Sequence, residues 1–240
     1  HAAMAAVAVG HSGVSANGGY GKTRTAKQVM YLAQTKFRRN KELPLFRSGM
    51  YWLPADDTAT LRQSVRTMYR SIKKPEDKAQ VDALKDDDVM SAVKGWLQHG
   101  HRKERLVVLD NVDNVAVLKE AADKLLPAVG SPMRGHVVVT SRRSGAELRR
   151  YVPGMDTQTL HALEPSQAES LLWRTGYGDD VEAALRRRSL ARDAEARAVA
   201  SLAGPQGVDG LPLALNHAAM AVRDGTKFGS FTEYWGEFSA

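Results

Sequence analysis

The run Ala16-Asn17-Gly18-Gly19-Tyr20-Gly21-Lys22-Thr23 has the residue types and spacing that suit phosphate chemistry. It fits the pattern G-x-x-x-x-G-K-[ST], with Ala16 in place of the first glycine. Glycines let a backbone curl until successive N–H groups point at one anion. A helix that opens where the loop ends turns its positive dipole end toward the same anion. Lys22 supplies a mobile charge for the β- and γ-phosphates, and Thr23 a hydroxyl for Mg²⁺. The plainer alternative is a glycine-rich hairpin ahead of a helix. Alanine at position 16 is a small loss provided that this residue needs no positive φ. The ligand-facing residues expected here are Asn17, Gly18, Gly19, Tyr20, Gly21, Lys22, Thr23 and Arg24.

Three further segments carry polar residues at places where ligands are bound. Leu106-Val107-Val108-Leu109-Asp110 reads as a central strand ending in a carboxylate, and open α/β sheets bind ligands at the carboxyl ends of their strands. Behind a phosphate loop such an acid holds Mg²⁺; on its own it is an ordinary strand-to-turn exit. Asn111 follows where many hydrolytic relatives place a second acid as general base, so fast hydrolysis is not expected. Asp113 is a candidate substitute. Val137-Val138-Val139-Thr140-Ser141-Arg142-Arg143 ends another apolar run and could aim Thr140 or Arg142 at a γ-phosphate, or it could simply expose an arginine pair. Gly210-Leu211-Pro212-Leu213-Ala214 places proline where a helix favours it, in the first turn.

Other groupings are weak. His99-Gly100-His101 is a poor metal set, with two imidazoles in a loop followed by Arg102 and Lys103. No G-x-S-x-G elbow supports a serine nucleophile. The apolar residues of Phe231–Phe238 are expected to pack on a helical domain rather than to bind a partner.

The elements that must position these residues alternate short apolar runs with longer amphipathic stretches, the pattern of a parallel sheet with crossover helices. Strands are expected near 5–15, 50–53, 106–109, 137–140 and 157–160. The first is broken by Gly10 and Gly13, and His11 and Ser12 are poor core residues. Helices are expected over 23–38, 58–72, capped by Asp57 or Thr58, and 88–97. Beyond Leu163 only helices are expected, over 165–173, 179–189, 193–203 and 211–222. The reading is an α/β domain over 1–162 and a small helical domain over 163–240.

Composition bounds these readings. The 240 residues suit one large domain or two small ones. Hydrophobic residues are 43% and charged residues 25%, an ordinary globular balance. Mean hydropathy is −0.38 and no apolar run is long enough to span a bilayer. With no cysteine, a thiol nucleophile, a disulfide framework and Cys-ligated zinc are excluded, and a cytoplasmic setting is expected. The net charge of +7 favours anionic partners. Its basic residues are dispersed, with clusters at Arg38, Arg39 and Lys41, at Arg142, Arg143, Arg149 and Arg150, and at Arg186–Arg188, so a nucleic-acid groove is not expected.

Taken in order, the four motifs resemble the NB-ARC module of the STAND class of signal-transduction ATPases. Further fragments agree with that resemblance: Tyr51–Asp56 looks like the family's second strand, Gly135–Arg142 like its sensor strand, Leu160–Leu171 like the passage into its helical domain, and Phe231–Trp235 like a later helix. The likeness covers nearly the whole chain. It implies a P-loop NTPase three-layer sandwich, with a mostly parallel five-stranded sheet followed by a helical lid. It implies ADP or ATP with Mg²⁺ as cofactors. Gly18, Gly19, Gly21, Lys22 and Thr23 would cradle phosphates and metal, Asp110 would orient Mg²⁺, Arg142 would sense the γ-phosphate, and Pro212 would pack on adenine. Lys22, Asp110 and Arg142 would then serve any slow hydrolysis. Ala16, the polar first strand and Asn111 depart from the family pattern. The family's winged-helix domain would lie beyond Ala240, so the chain is expected to be a piece of a longer protein whose other regions carry protein partners or self-assembly. The rival expectations are a turnover ATPase of AAA+ type acting on nucleic acid or protein, a scaffold with a decayed site, and a nucleic-acid-binding domain.

Overall fold

The computed structural model describes residues 11–40, 46, 49–99, 105–128 and 135–240. Residues 5–10 of the expected first strand lie outside them, as does the His99–His101 motif apart from the backbone of His99.

The apolar runs form a five-stranded sheet: β1 (His11–Ser15), β2 (Met50–Pro54), β3 (Arg105–Asp110), β4 (Gly135–Ser141) and β5 (Asp156–Thr159). Every pairing is parallel and the order is β2-β3-β4-β1-β5. Parallel strands need crossovers, and these are supplied by α1 (Lys22–Asn40), α2 (Thr58–Ile72), α3 (Lys78–Ala83), α4 (Asp86–His99), α5 (Val115–Glu120) and α6 (Gly145–Tyr151). Side chains alternate along a strand, so β3 serves two cores. Val107 and Leu109 join Leu61, Val65, Val93, Leu118 and Leu148 on one face, whereas Leu106 and Val108 join Ala26 of α1 and Phe46 on the other. The result is the expected three-layer α/β sandwich. Because every strand points the same way, the carboxyl ends of β1, β3 and β4 share one edge.

Helix α2 shows why the pattern was readable. Leu61, Val65 and Met68 are buried at i, i+4 and i+7, and the Asp57 carboxylate caps the helix by accepting from Thr60 N–H at 2.7 Å. The short α3, α5 and α6 were not anticipated. They span six or seven residues, too few for the 3.6-residue period to repeat. Two of them carry a local signature: Asn114 caps α5 by accepting from Ala116 N–H at 2.8 Å, and Ser144 and Glu147 form a reciprocal capping box on α6.

His11 is buried despite its polarity, and its Nε2 has no hydrogen-bond partner among the described residues. Burial holds its pKa below the ordinary value. The unfolded chain therefore takes up the proton first. The associated stability is complete above pH ~6.5 and falls as the pH drops below that value toward the depressed folded pKa, by at most about 1.4 kcal/mol per pH unit. Urea midpoints between pH 8 and 5 should show this slope, and His11→Gln should reduce it. An unchanged slope in the variant would remove His11 as the cause.

Contacts divide the chain into two units. Among the described residues, one holds 11–17 and those of Lys22–Leu160, and the other holds Gly18–Gly21 and His161–Ala240. The second contains α7 (Pro165–Tyr177), α8 (Val181–Arg187), α9 (Arg192–Ala203), α10 (Pro212–Asp224) and α11 (Phe231–Phe238). Its core is built from Leu172, Val199, Leu202, Leu215, Val222 and Phe231, among others. One buried carboxylate, Glu195 on α9, takes the phenol of Tyr177 at 2.5 Å together with the N–H groups of Phe231 and Thr232 at the start of α11. Gly210 has a left-handed φ of 67°, and a Cβ there would lie 2.3 Å from the carbonyl oxygen of Leu163. Only glycine fits ahead of Pro212, which occupies the first turn of α10.

Candidate phosphate-binding site

The glycine loop connects β1 to α1. Gly19 and Gly21 both adopt φ of 85°, a region closed to most side chains, and this pair sets the curl of the loop. Ala16 is not among the residues with positive φ. It is buried, and its N–H donates to Ser141 O at 3.2 Å. The missing first glycine is thereby accommodated without strain.

Lys22 is the first residue of α1 and is itself buried. Its ammonium donates to Ala16 O at 2.8 Å and to Asn17 O at 2.9 Å, bracing the loop from within. Burial lowers its pKa, the charge of Asp113 opposes that shift, and Arg142 adds to it. A phosphate would supply the negative charge that this buried ammonium lacks.

Thr23 reaches past β4 to β3. Its hydroxyl hydrogen is shared between Asp110 Oδ1 at 2.9 Å and Oδ2 at 3.2 Å. Thr140 on β4 donates to the same Oδ1 at 2.5 Å and accepts from Asn111 N–H at 2.9 Å. Asp110 is thus gripped from two neighbouring elements. A hydroxyl and a carboxylate are hard oxygen donors, and Mg²⁺ takes one or two such groups along with water and phosphate oxygens. Thr23 and Asp110 fit that role. No cluster of three His, Cys, Asp or Glu exists among the described residues, and this mode of binding needs none.

Arg142 is placed differently from Thr140. Its Nε meets Asp113 Oδ2 at 3.0 Å, and its own N–H donates to Asp113 Oδ1 at 2.6 Å. Asp113 is fully engaged by these bonds, which weakens it as a substitute base. The site therefore brings together Lys22, Thr23, Asp110 and Thr140, with Arg142 held by Asp113. Arg24 follows on the exposed side of α1, and Pro212 belongs to the second unit. Within that unit, Leu213 N–H at the start of α10 donates to Gly19 O at 3.1 Å.

One neighbour of the site was missed. Asp56, two residues past the end of β2, accepts the side-chain amide of Asn111. The rule that singled out Asp110, a carboxylate at the carboxyl end of a strand, would have found it too.

No protein-family model matches the sequence, and no protein of curated function matches it either. Solved structures do. Cdc6p from Pyrobaculum aerophilum superimposes with a TM-score of 0.54 at 15% identity, covering 92% of this chain and 58% of that one. Drosophila ORC bound to DNA gives 0.53 at 16%, covering 100% and 57%. A STAND protein with a tetratricopeptide repeat sensor from Pyrococcus horikoshii gives 0.50 at 16%, covering 87% and 27%. The fold is that of a P-loop NTPase. The chain spans between 27% and 58% of the length of these neighbours. They lend no support to the expectation that nucleic acid is not a partner, since one of them is bound to DNA. Among the described residues no helix is long and apolar enough to cross a membrane.

Proposed function

We propose that the chain is a nucleotide-binding switch module of the STAND type, taking ADP or ATP with Mg²⁺. The observation that carries the reading is the Thr23–Asp110 pair at the head of a glycine loop whose lysine is buried and already aimed inward. The loop N–H groups and Lys22 would hold the phosphates. Thr23 and Asp110 would hold Mg²⁺ through its oxygen ligands, and the bound ion would offset charge on the β- and γ-oxygens. Arg142 would read the γ-phosphate after leaving Asp113, so an ATP-specific contact would cost one surface ion pair. Pro212 would pack on adenine from residues 163–240 acting as a lid. The bond from Leu213 N–H to Gly19 O supports that role, since it ties the start of α10 to the loop tip. Exchange of ADP for ATP would alter this tie and expose surfaces for protein partners or self-assembly elsewhere in the full protein. Hydrolysis would be slow and would reset the switch.

The test is direct. Protein purified without added nucleotide and then denatured is expected to release ADP in near-stoichiometric amount, and the emptied protein to bind ADP with 1:1 stoichiometry by calorimetry. Absence of released nucleotide together with no binding heat at millimolar ADP would overturn the reading in favour of a scaffold.

A further inference from the structure

Asn111 stands where a second acid would serve as general base, yet the site does not lack a carboxylate. Pro54 of β2 lies in register with Asp110 of β3, and Ala55 N–H donates to Asp110 O at 2.9 Å. The next residue, Asp56, is thereby carried just beyond Asp110, on the same edge of the sheet. Asn111 adopts a left-handed φ of 68°, a conformation asparagine tolerates, and this turns its side chain toward β2. Its amide donates to Asp56 Oδ1. Asp56 is exposed, and its Oδ2 carries no hydrogen bond among the described residues. Asp113, by contrast, is bound through both oxygens to Arg142 and Ser141.

From this arrangement we infer that Asp56 is the general base for ATP hydrolysis, held in place by Asn111. The inference rests on the nucleotide-binding reading above. Asn111 fixes one carboxylate oxygen and leaves the other to accept a hydrogen bond from a water beside the γ-phosphate. As the water oxygen bonds to the γ-phosphorus, one water hydrogen passes to Asp56. The bond from the γ-phosphorus to the bridging oxygen breaks and ADP leaves with that oxygen. The carboxylic acid then returns its proton to solvent. A base borrowed from a neighbouring strand and shared with an amide explains how this site could hydrolyse ATP without an acid at position 111. General-base assistance is worth roughly 10²–10⁴ in rate.

The experiment pairs Mg²⁺-ATP binding with single-turnover hydrolysis for the wild type, Asp56→Asn, Asp56→Glu and Asp57→Asn. Asp57→Asn is the control, because asparagine caps helices as well as aspartate does. Asp56→Asn is expected to keep its dissociation constant within about threefold and to lose about 100-fold or more in rate. Asp56→Glu should recover part of that loss, and Asp57→Asn should match the wild type. Hydrolysis at the wild-type rate by Asp56→Asn would overturn the assignment, and so would a wild type that binds Mg²⁺-ATP without ever hydrolysing it. Both results leave the nucleotide-binding reading intact. A wild type that binds no nucleotide overturns that reading and this inference together.

Discussion

Lys22→Ala is expected to weaken ADP binding about 10- to 150-fold while the protein stays folded. The ammonium now spends its hydrogen bonds on two loop carbonyls, Ala16 O and Asn17 O. Both bonds come from a charged donor, and the one to Ala16 O is buried, but the ammonium that makes them is itself held in the interior against its desolvation cost. A bound phosphate would give the same ammonium an anionic partner, a contact worth about 1.5–3 kcal/mol, which gives the quoted range. Because burial depresses the pKa of Lys22, the protein holds this charge at some cost until an anion arrives. The effect should therefore appear in binding and not in the urea midpoint. Calorimetry with ADP checks the first and denaturation the second. Equal ADP affinity in wild type and variant would show that phosphates do not sit at this loop.

Glu195→Ala is expected to destabilise the helical unit by about 3–5 kcal/mol. The carboxylate is 1% exposed and receives Tyr177 O–H, Phe231 N–H, Thr232 N–H and the Thr232 hydroxyl. It also lies at the N-terminus of α11, where a negative charge offsets the positive end of the helix dipole. Burial, together with Glu195, pushes the Tyr177 phenol well above its usual range, so it remains a donor at any pH near neutrality. Removing the carboxylate strands several buried donors at once, and each costs about 1–3 kcal/mol less whatever water can recover. Glu195→Gln keeps one acceptor oxygen and should lose roughly half as much. The check is urea unfolding followed through the tryptophans, of which Trp173 and Trp235 belong to this unit. A loss below about 1 kcal/mol for Glu195→Ala would show that the buried hub contributes little.

The sheet was legible because β3 and β4 are buried along their length, so they carry uninterrupted apolar runs that only a covered parallel strand needs. The glycine loop was legible for a related reason: Gly19 and Gly21 require backbone angles that other residues resist, and sequence shows such requirements directly. β1 was obscured by its composition. His11 and Ser15 are buried and Gly13 sits tightly under Met155 and Leu148, so a core strand was written in polar and small residues. The expected fifth strand, 157–160, was displaced by one residue to Asp156–Thr159, whose exposed polar edge carries no apolar pattern to fix its ends. The bonds that organise the site were the least visible. Thr140 to Asp110, Asp113 to Arg142 and Asn111 to Asp56 join residues 29 to 55 positions apart, and only the strand order β2-β3-β4-β1-β5 brings them together. Thr140 and Arg142 were alternatives at one strand end. The structure separates them, with Thr140 buried on Asp110 and Arg142 exposed on Asp113.

The claim that one nucleotide engages both the glycine loop and the helical unit is tested most directly by amide hydrogen exchange with and without ADP. At about 1,000 times its dissociation constant, ADP should add about 4 kcal/mol of apparent stability. Protection is expected to rise in two stretches, Gly18–Thr23 and the start of α10 near Leu211–Leu215. Protection confined to the loop would contradict the account, leaving residues 163–240 as a helical appendage with no part in holding the nucleotide.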